Sequence, residues 1–333
     1  MTPAHHAPRG GFRNPWPTGT PRGFGDLPRW WWQRWREGRP ADPAPDAFPV
    51  ATPAIVRPRG APDECRATWI GHATVLLQVG GLNVLTDPMW SARASPLSFA
   101  GPKRFVPPAL ALEALPPLDV VLLSHNHYDH LDRPTVRALA RAHPGARWLV
   151  PLGLARVLRG WGVREVAEHD WYDEARLDGA AGEVRIGCTP AQHFTARGPH
   201  DRNATLWCGW TLAVGRWRVF FAGDTGLHPV FDEIARRWGP FDLVILPIGA
   251  YAPRWFMRAV HMDPEDAMQA YRALRDAHPD ASPPAMLPIH WGTFRLTDED
   301  MLEPPRRTRA RWEADGWPAE RLWLLAHGET KAV

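Results

Sequence analysis

The sequence has 333 residues, of which 44% are hydrophobic and 23% charged, a composition typical of a globular chain with a substantial core. Its net charge of +3 is too small to indicate a nucleic-acid-binding protein. The chain contains no run of 18 apolar residues and no apolar core near its first residue, which excludes a transmembrane helix and a secretory signal. The three cysteines form no disulfide framework, so we expect a cytoplasmic protein.

Residues 1–60 differ in composition from the rest, and we predict that they form an N-terminal arm. Twelve of them are proline, which excludes long helices and central strands. Residues 1–40 carry seven arginines against Asp26 and Glu37, a net charge of +5, whereas the rest of the chain sums to −2. Inside the arm, residues 29–36 predict a short helix.

Residues 61–333 are predicted to form the main domain, in which short β-rich runs alternate with helical segments. Predicted strands cover residues 67–70, 74–79, 83–86, 120–123, 147–151, 183–189, 205–214, 217–222, 243–247, 285–289 and 322–326. Predicted helices cover residues 134–142, 152–159, 229–238 and 264–277. The last helix should begin at Asp263 as N-cap, with Pro264 in its first turn. This order predicts two mixed β-sheets packed together with helices outside.

The densest group of metal-ligand side chains directly follows the predicted strand 120–123. His125, His127, Asp129 and His130 fall within six residues. In an extended loop, His125 and His127 point to the same side, and the next two side chains can close on a second point as the chain turns into a helix. Imidazole nitrogens and carboxylate oxygens suit zinc. The spacing therefore predicts metal binding rather than a polar loop of hydrogen-bonded histidines.

Three more ligand-type residues follow predicted strands: His193, Asp224 and His290. Each alone is more often structural. Together with the loop they supply seven ligands, enough for two metals that share one carboxylate. Two metals about 3.5–4 Å apart can hold a hydroxide at neutral pH and stabilise an in-line displacement. The sequence therefore predicts a dinuclear hydrolytic site.

The pattern HxHxDH, followed by a distant His, Asp and His, resembles the signature of the metallo-β-lactamase superfamily. Further runs closely resemble its N-acyl-phosphatidylethanolamine-hydrolysing phospholipase D family. These runs cover residues 69–74, 85–88, 101–105, 124–132, 221–226, 247–251, 253–257, 261–265, 290–294 and 302–305. The resemblance spans about residues 66–329. It implies that the main domain is a catalytic αββα sandwich, that each chain holds two Zn²⁺ ions and that the protein is a homodimer.

The resemblance also implies a ligand assignment. One zinc would be held by His125, His127 and His193. The other would be held by Asp129, His130 and His290, and Asp224 would bridge the two ions. Of these, Asp129 and Asp224 would also count as catalytic residues.

Four further residues lie in or near these motifs. Three of them have a functional and a structural interpretation, and the fourth has only a structural one. Asp87 would orient a histidine ligand by accepting its hydrogen bond, or would only form the turn before Pro88. His261 would act in catalysis, by binding substrate phosphate or holding a proton for the leaving group, or would only serve its loop. Tyr128 would bind substrate by donating to a phosphate oxygen, or would pack. His72 we interpret as structural.

The implied function is zinc-dependent hydrolysis of N-acyl-phosphatidylethanolamine to phosphatidic acid and an N-acylethanolamine. A first alternative is a metal-dependent lactonase or phosphodiesterase for a small soluble phosphorylated metabolite. A second alternative is a non-catalytic membrane- or nucleic-acid-binding protein with a relic metal site, against which the complete ligand set speaks. No GxSxG motif supports a serine nucleophile.

The arm has its own alternatives, because four of its tryptophans lie among arginines. They are Trp30, Trp31, Trp32 and Trp35. Trp and Arg both favour the headgroup region of a bilayer, which predicts peripheral contact with a membrane surface and a phospholipid substrate. The tryptophans would otherwise pack on the main domain or at a dimer contact. Nucleic-acid binding is disfavoured because the main domain is close to neutral.

Overall fold

In a computed structural model that describes residues 3–17, 21–44 and 46–333, thirteen strands form two β-sheets. The first sheet contains β1 Cys65–Gly71, β2 Thr74–Val79, β3 Leu82–Thr86, β4 Val120–Leu122, β5 Arg147–Pro151, β6 Val166–His169 and β13 Thr330–Ala332. The second contains β7 Glu174–Gly179, β8 Gly182–Thr189, β9 Gly209–Val214, β10 Trp217–Phe221, β11 Leu243–Pro247 and β12 Ala285–Ile289.

Strand direction brings several loops to one edge of the second sheet. Its order is β12-β11-β10-β9-β8-β7. Strands β10, β11 and β12 are parallel, and β8 shares their direction because β9 is antiparallel to both β8 and β10. The carboxyl ends of these strands therefore meet at one edge. The first sheet, of order β13-β1-β2-β3-β4-β5-β6, is antiparallel up to β3 and parallel from β3 to β6.

The core lies between the sheets, and each sheet also buries its outer face. In β11, Leu243 and Ile245 belong to the central core, whereas Val244 and Leu246 face the outer helices. A strand covered on both faces is apolar at every position, which explains the continuous apolar runs of the sequence.

Seven helices are found in the described residues: α1 Leu27–Glu37, α2 Arg133–Ala142, α3 Ala155–Gly160, α4 Phe231–Trp238, α5 Arg254–Met257, α6 Pro264–Asp276 and α7 Glu303–Ala314. Helices α2 and α3 cover the first sheet, and α4, α6 and α7 cover the second. Helix α6 begins as predicted, since the Asp263 carboxylate accepts a hydrogen bond from the backbone N–H of Asp266 at 2.9 Å. The predicted αββα architecture is confirmed.

The predicted strand at 322–326 is wrong. Leu322 forms one isolated bridge to Met286, and Trp323 and Leu325 enter the central core without a ladder of hydrogen bonds. The last strand is β13, which pairs with β1. Apolar side chains in this segment indicated burial correctly, but burial does not require strand pairing.

The first part of the arm is fastened to the loop that follows β6. His5 and His6 direct their Nε2 atoms at the two carboxylate oxygens of Asp170, at 2.6 and 2.7 Å. Trp16 then stacks on Trp171, with 5.5 Å between the ring centroids. Farther along, Ala51 N donates to the backbone oxygen of His327 at 2.7 Å. The described arm residues therefore run over the main domain.

Helix α1 confirms the helix predicted inside the arm, and none of its residues is buried. Trp30 packs against Phe256, with 4.8 Å between the ring centroids. Its other tryptophans face outward: Trp31 is 60% exposed, Trp32 55% and Trp35 81%. Across residues 3–17, 21–44 and 46–333, no helix has the length and apolar character needed to cross a bilayer.

Candidate metal centre

The seven predicted ligands converge where four strands end. The loop carrying His125 to His130 follows β4, and the other three ligands follow β8, β10 and β12 as His193, Asp224 and His290. Most are shielded from solvent, with Asp224 and His290 each only 3% exposed. Side chains 165 residues apart in sequence are thereby brought into one buried site.

Three histidine nitrogens form the first cluster. Nδ1 of His127 lies 2.8 Å from Nε2 of His125 and 3.2 Å from Nε2 of His193. His193 donates its Nδ1–H to the backbone oxygen of Val260 at 2.9 Å, so its Nε2 carries a lone pair. His125 has its Nδ1 2.8 Å from Oγ of Ser124.

The Ser124 hydroxyl fixes the orientation of His125. It donates to Oδ2 of Asp87 at 2.6 Å, so it can only accept from His125 Nδ1–H, and Nε2 of His125 is left with a lone pair. At least two unprotonated nitrogens therefore face the His127 nitrogen at close range. A cation relieves the repulsion between such lone pairs, so this donor set fits a metal ion.

Two carboxylates and two histidines form the second cluster. Nε2 of His130 and Nε2 of His290 lie 3.3 and 3.4 Å from Oδ2 of Asp129, and both lie 3.1 Å from Oδ2 of Asp224. Neither nitrogen has a partner in hydrogen-bond geometry. His130 uses its Nδ1 for Oδ2 of Asp87 at 2.7 Å. Nitrogen and carboxylate donors converge here on a second point that can bind a metal.

A single oxygen of Asp224 lies between the clusters. Its Oδ2 is 3.1 Å from the nitrogens of the second cluster and 3.9 Å from Nε2 of both His125 and His193. The other oxygen, Oδ1, has no hydrogen-bond partner. Asp224 is therefore the residue that both clusters share.

The two clusters differ in charge. Burial lowers the pKa of His193 to about 4 and that of His127 to about 3, so both rings are neutral at pH 7. Burial also opposes protonation of His290, but Asp224 and Asp129 outweigh it and raise the pKa of His290 to about 9. Without a cation, the second cluster thus balances its carboxylates with protons. A divalent ion would replace those protons.

Asp87 is hydrogen-bonded to residues that belong to, or orient, both clusters. Besides His130, it accepts from the backbone N–H of Ser124 at 2.7 Å and from the Ser124 hydroxyl. Its backbone φ of +31° is unusual for a non-glycine residue. One carboxylate therefore orients a histidine from each cluster. The sequence indicated Asp87 as a candidate but gave no sign of the part taken by Ser124.

His72, interpreted as structural from the sequence, contacts a predicted ligand. Its Nε2 lies 2.9 Å from Oδ2 of Asp129, and its ring centroid is 4.1 Å from that of His290. Burial and the neighbouring histidine lower its pKa to about 3, so the ring is neutral and donates Nε2–H. The signal in the sequence was its position in the β1–β2 turn, beside the site edge.

His261 reaches the floor of the cavity above the centre, whereas Tyr128 does not. Nδ1 of His261 lies 4.0 Å from Oδ2 of Asp224 and has no hydrogen-bond partner. The cavity has a volume of about 250 Å³. Tyr128 instead donates its hydroxyl to the backbone oxygen of Arg197 at 3.0 Å and lines a separate cavity with Trp161. This position favours the packing alternative for Tyr128.

Known proteins resemble this chain over most of its length. The beta-lactamase superfamily domain matches residues 82–291. An "N-acyl-phosphatidylethanolamine-hydrolyzing phospholipase D 1" of Caenorhabditis elegans is 41% identical over 255 residues, which cover 74% of this chain and 70% of that protein. An uncharacterized protein of Mycobacterium tuberculosis is 43% identical over 279 residues, covering 83% and 70% respectively. A metallo hydrolase of Ignicoccus hospitalis has a TM-score of 0.60 at 24% identity, covering 81% of this chain and 98% of that structure.

Proposed function

This chain belongs to the metallo-β-lactamase superfamily and is a metal-dependent hydrolase, and from that premise we propose that it is a phosphodiesterase of phospholipase D type. Its substrate is an N-acyl-phosphatidylethanolamine, and its products are phosphatidic acid and an N-acylethanolamine. The observation that carries this proposal is the Asp224 oxygen shared by two buried clusters of metal-ligand atoms. Such a pair of sites suits a phosphodiester, whose attacking and leaving oxygens both need stabilisation.

The metal ligands follow from the two clusters. His125, His127 and His193 would hold one zinc ion. Asp129, His130 and His290 would hold the other, and Asp224 would be shared by both. When bound, the two ions supply positive charge to the phosphoryl oxygens and lower the pKa of a water molecule to near neutrality.

The chain's own residues orient the ligands and the substrate. Asp87 fixes the ring of His130, and His72 fixes the carboxylate of Asp129. His261 faces the cavity with an unpartnered nitrogen, and burial holds its pKa well below the usual value. It is therefore neutral and acts by donating its one N–H to a phosphoryl oxygen rather than as a charged acid.

The bond changes are those of phosphate-ester hydrolysis. The oxygen of water forms a bond to phosphorus, the bond from phosphorus to the ethanolamine oxygen breaks, and that oxygen gains a proton. Both hydrogens of the water are thus accounted for, one on the leaving alcohol and one released from the phosphatidic acid at neutral pH.

Membrane contact is part of the proposal, because a diacyl phospholipid must be taken from a bilayer. Three outward tryptophans of α1 support it, since they are more than half exposed and lie among arginines. Trp30 of the same helix lines the cavity above the centre. A bilayer touching the outer face of α1 would therefore lie next to the entrance of the site.

The homodimer implied by the family resemblance remains part of the proposal. Light scattering coupled to size-exclusion chromatography tests it directly. A mass near one chain at micromolar concentration would remove the dimer from the proposal while leaving the chemistry unaffected.

The decisive experiment combines product analysis with isotope labelling. Zinc-loaded protein is incubated with N-acyl-phosphatidylethanolamine, other phospholipids, soluble phosphodiesters and lactones, and the products are identified by mass spectrometry. We expect N-acylethanolamine release, with label from H₂¹⁸O in the phosphatidic acid. Label in the N-acylethanolamine would contradict attack at phosphorus. Turnover of only a soluble lactone or phosphodiester would favour the first alternative.

A further inference from the structure

The cavity above the metal centre is built from two separate parts of the chain. Its floor contains Asp129, Asp224 and His261, all in the main domain. One wall contains Phe256 from α5, and the ring of Trp30, from helix α1 of the N-terminal arm, packs against Phe256 and extends that wall. The two aromatic rings lie 4.8 Å apart between centroids. The cavity is therefore incomplete without the arm.

Apart from its floor and the side chains of His127, Arg22 and Thr297, the cavity is lined by apolar residues. Besides the two aromatic rings, the lining includes Phe194, Met257 and Leu296. A phosphodiester bound over the metal centre would leave its attached groups in this apolar space. Hydrocarbon is the ligand chemistry that such walls recognise.

Polar contacts hold Trp30 in this wall. Its indole N–H donates to Oδ2 of Asp298, and the other oxygen of Asp298 accepts from Arg34 Nε at 2.8 Å. Gln33 accepts from the indole N–H of Trp255 at 2.7 Å. Positions 30, 33 and 34 share one face of a helix, so this face of α1 is bound to the main domain.

The attachment of α1 is of a kind that can be released. No residue of the helix is buried, and the contacts that hold it are hydrogen bonds, an ion pair, the tilted ring contact of Trp30 and the guanidinium of Arg29 over the ring of Trp255 at 4.2 Å. Elements that bury few apolar groups open at low free-energy cost. Asp298 joins two of these contacts, so it is the residue on which the attachment depends most.

We propose that α1 is a detachable wall of the substrate pocket, in which Trp30 binds the acyl chain of the substrate and Asp298 positions Trp30. The inference rests on the proposed function, because it assigns a hydrocarbon-bearing phosphoester to the same pocket. Substrate choice by chain length would then depend on the arm and not only on the main domain.

Alkyl phosphates of different length test this without requiring the physiological substrate. Butyl, hexyl and octyl phosphate, used below their micelle-forming concentrations, compete with hydrolysis of bis(p-nitrophenyl) phosphate by the zinc-loaded full chain. We expect the inhibition constant to fall by roughly two orders of magnitude from butyl to octyl in the wild type, because the four added methylenes are buried. In Trp30→Ala the three inhibition constants should lie within about threefold of one another, because the added methylenes are no longer buried against the indole ring.

Two further variants test whether the effect depends on Trp30 and on its attachment to the main domain. Asp298→Asn keeps Trp30 but weakens its attachment, and should reduce the dependence on chain length as Trp30→Ala does. Trp32→Ala is the matched control, because Trp32 is in the same helix but faces away from the cavity, 55% exposed. It should keep the wild-type dependence. Loss of the dependence in Trp32→Ala, or its persistence in Trp30→Ala, would overturn the inference.

The outcome separates this inference from the proposed function. If N-acyl lipids are not hydrolysed but octyl phosphate still binds more tightly than butyl phosphate in a way that depends on Trp30, the proposed substrate is wrong and the inference about α1 remains. If N-acyl lipids are hydrolysed and no protein variant changes how the inhibition constant depends on chain length, the inference about α1 is wrong and the proposed activity remains.

Discussion

Nε2 of His72 lies 2.9 Å from Oδ2 of Asp129, and this contact fixes a carboxylate that faces both His130 and His290. The backbone of His72 has a φ of +55°, an uncommon conformation for a residue with a side chain. Its backbone N–H donates a hydrogen bond to Oγ1 of Thr293 at 2.8 Å. Strained backbone held in place by its surroundings is typical of functional sites.

Replacing His72 should weaken the second cluster. His72→Ala removes the donor to Asp129, and we expect metal affinity and activity to fall about 10- to 100-fold, as for other hydrogen-bond partners of metal ligands. His72→Gln, which retains an N–H donor, should recover part of the loss. Chelator competition measures the affinity. His143→Ala, at the end of α2, serves as the control, and equal metal affinity in His72→Ala and wild type would contradict this role.

Asp224→Asn should reduce metal content as well as activity. A neutral amide bridges two cations poorly, so we expect a protein that binds about two zinc-class ions per chain to lose most of one or both. Elemental analysis and turnover of a soluble phosphodiester provide the readouts. Asp232 of α4, which is half-buried and belongs to the outer helix layer rather than to either cluster, supplies the control Asp232→Asn. A fully active wild type with a single metal ion would contradict the shared carboxylate.

Gly223 should tolerate no side chain. Its φ is +60°, and an added Cβ would lie 2.5 Å from the Cβ of Ser124. Gly223→Ala should therefore cost roughly 2 kcal/mol or more of stability and disturb the Ser124 hydroxyl that orients His125. Thermal unfolding and activity measure both effects. Gly160→Ala at the end of α3, where an added Cβ meets no atom within 4 Å, should be neutral or stabilising.

Acid should destabilise the protein partly through His228. Burial lowers the pKa of His228 to about 3, whereas an unfolded histidine titrates near 6.5. The unfolded state therefore binds the proton first, so this contribution to stability is complete above pH 6.5 and is lost as the pH falls toward 3. The slope is up to about 1.4 kcal/mol per pH unit.

The variant His228→Gln should remove that slope. Denaturant unfolding between pH 7 and pH 4 measures it, and the difference in slope between wild type and variant isolates this residue from other titrating groups. His200→Gln, at an exposed position, is the matched control. Identical slopes for wild type and His228→Gln would show that His228 is not the group responsible.

The outer face of α1 should determine binding to vesicles. We expect the double replacement of Trp31 and Trp35 by Ala to reduce co-sedimentation with anionic vesicles, because these rings are 60% and 81% exposed. Binding should also weaken as salt rises, since basic residues near the surface contribute about 1 kcal/mol each. Phe99→Ala, an exposed aromatic outside the arm, should bind normally. Equal loss in this control would contradict a specific role of α1.

Much of the candidate site could be predicted because the strands that lead to it have a clear sequence signal. The bounds of β11 and β12 match their predictions at 243–247 and 285–289, since continuous apolar runs end abruptly at proline, glycine or histidine. Parallel neighbours then bring the following loops together. The positions of the predicted ligands at the ends of these strands therefore followed from local sequence, and their assignment as ligands remains a prediction.

The supporting contacts could not be predicted, because they depend on distant pairs. Ser124 binds Asp87, which is 37 residues away, and His72 binds Asp129, which is 57 residues away. Apart from the position of His72 in the β1–β2 turn, nothing local marks this serine or this histidine as the partner of a predicted ligand or of its supporting carboxylate. The same limit applies to β13, a three-residue strand whose existence depends on its pairing with β1.

The contacts of the arm with residues later in the chain also determine when the arm can dock during synthesis. The arm is made before the residues that hold it, because Asp170, Asp298 and His327 come much later in the chain. Because Asp298 follows His290 in the chain, Trp30 can attach to the cavity wall only after all seven predicted ligands have been made. We expect a bulky group fused before residue 1 to interfere with that docking step, and the fused protein to load metal normally but to bind the proposed substrate poorly.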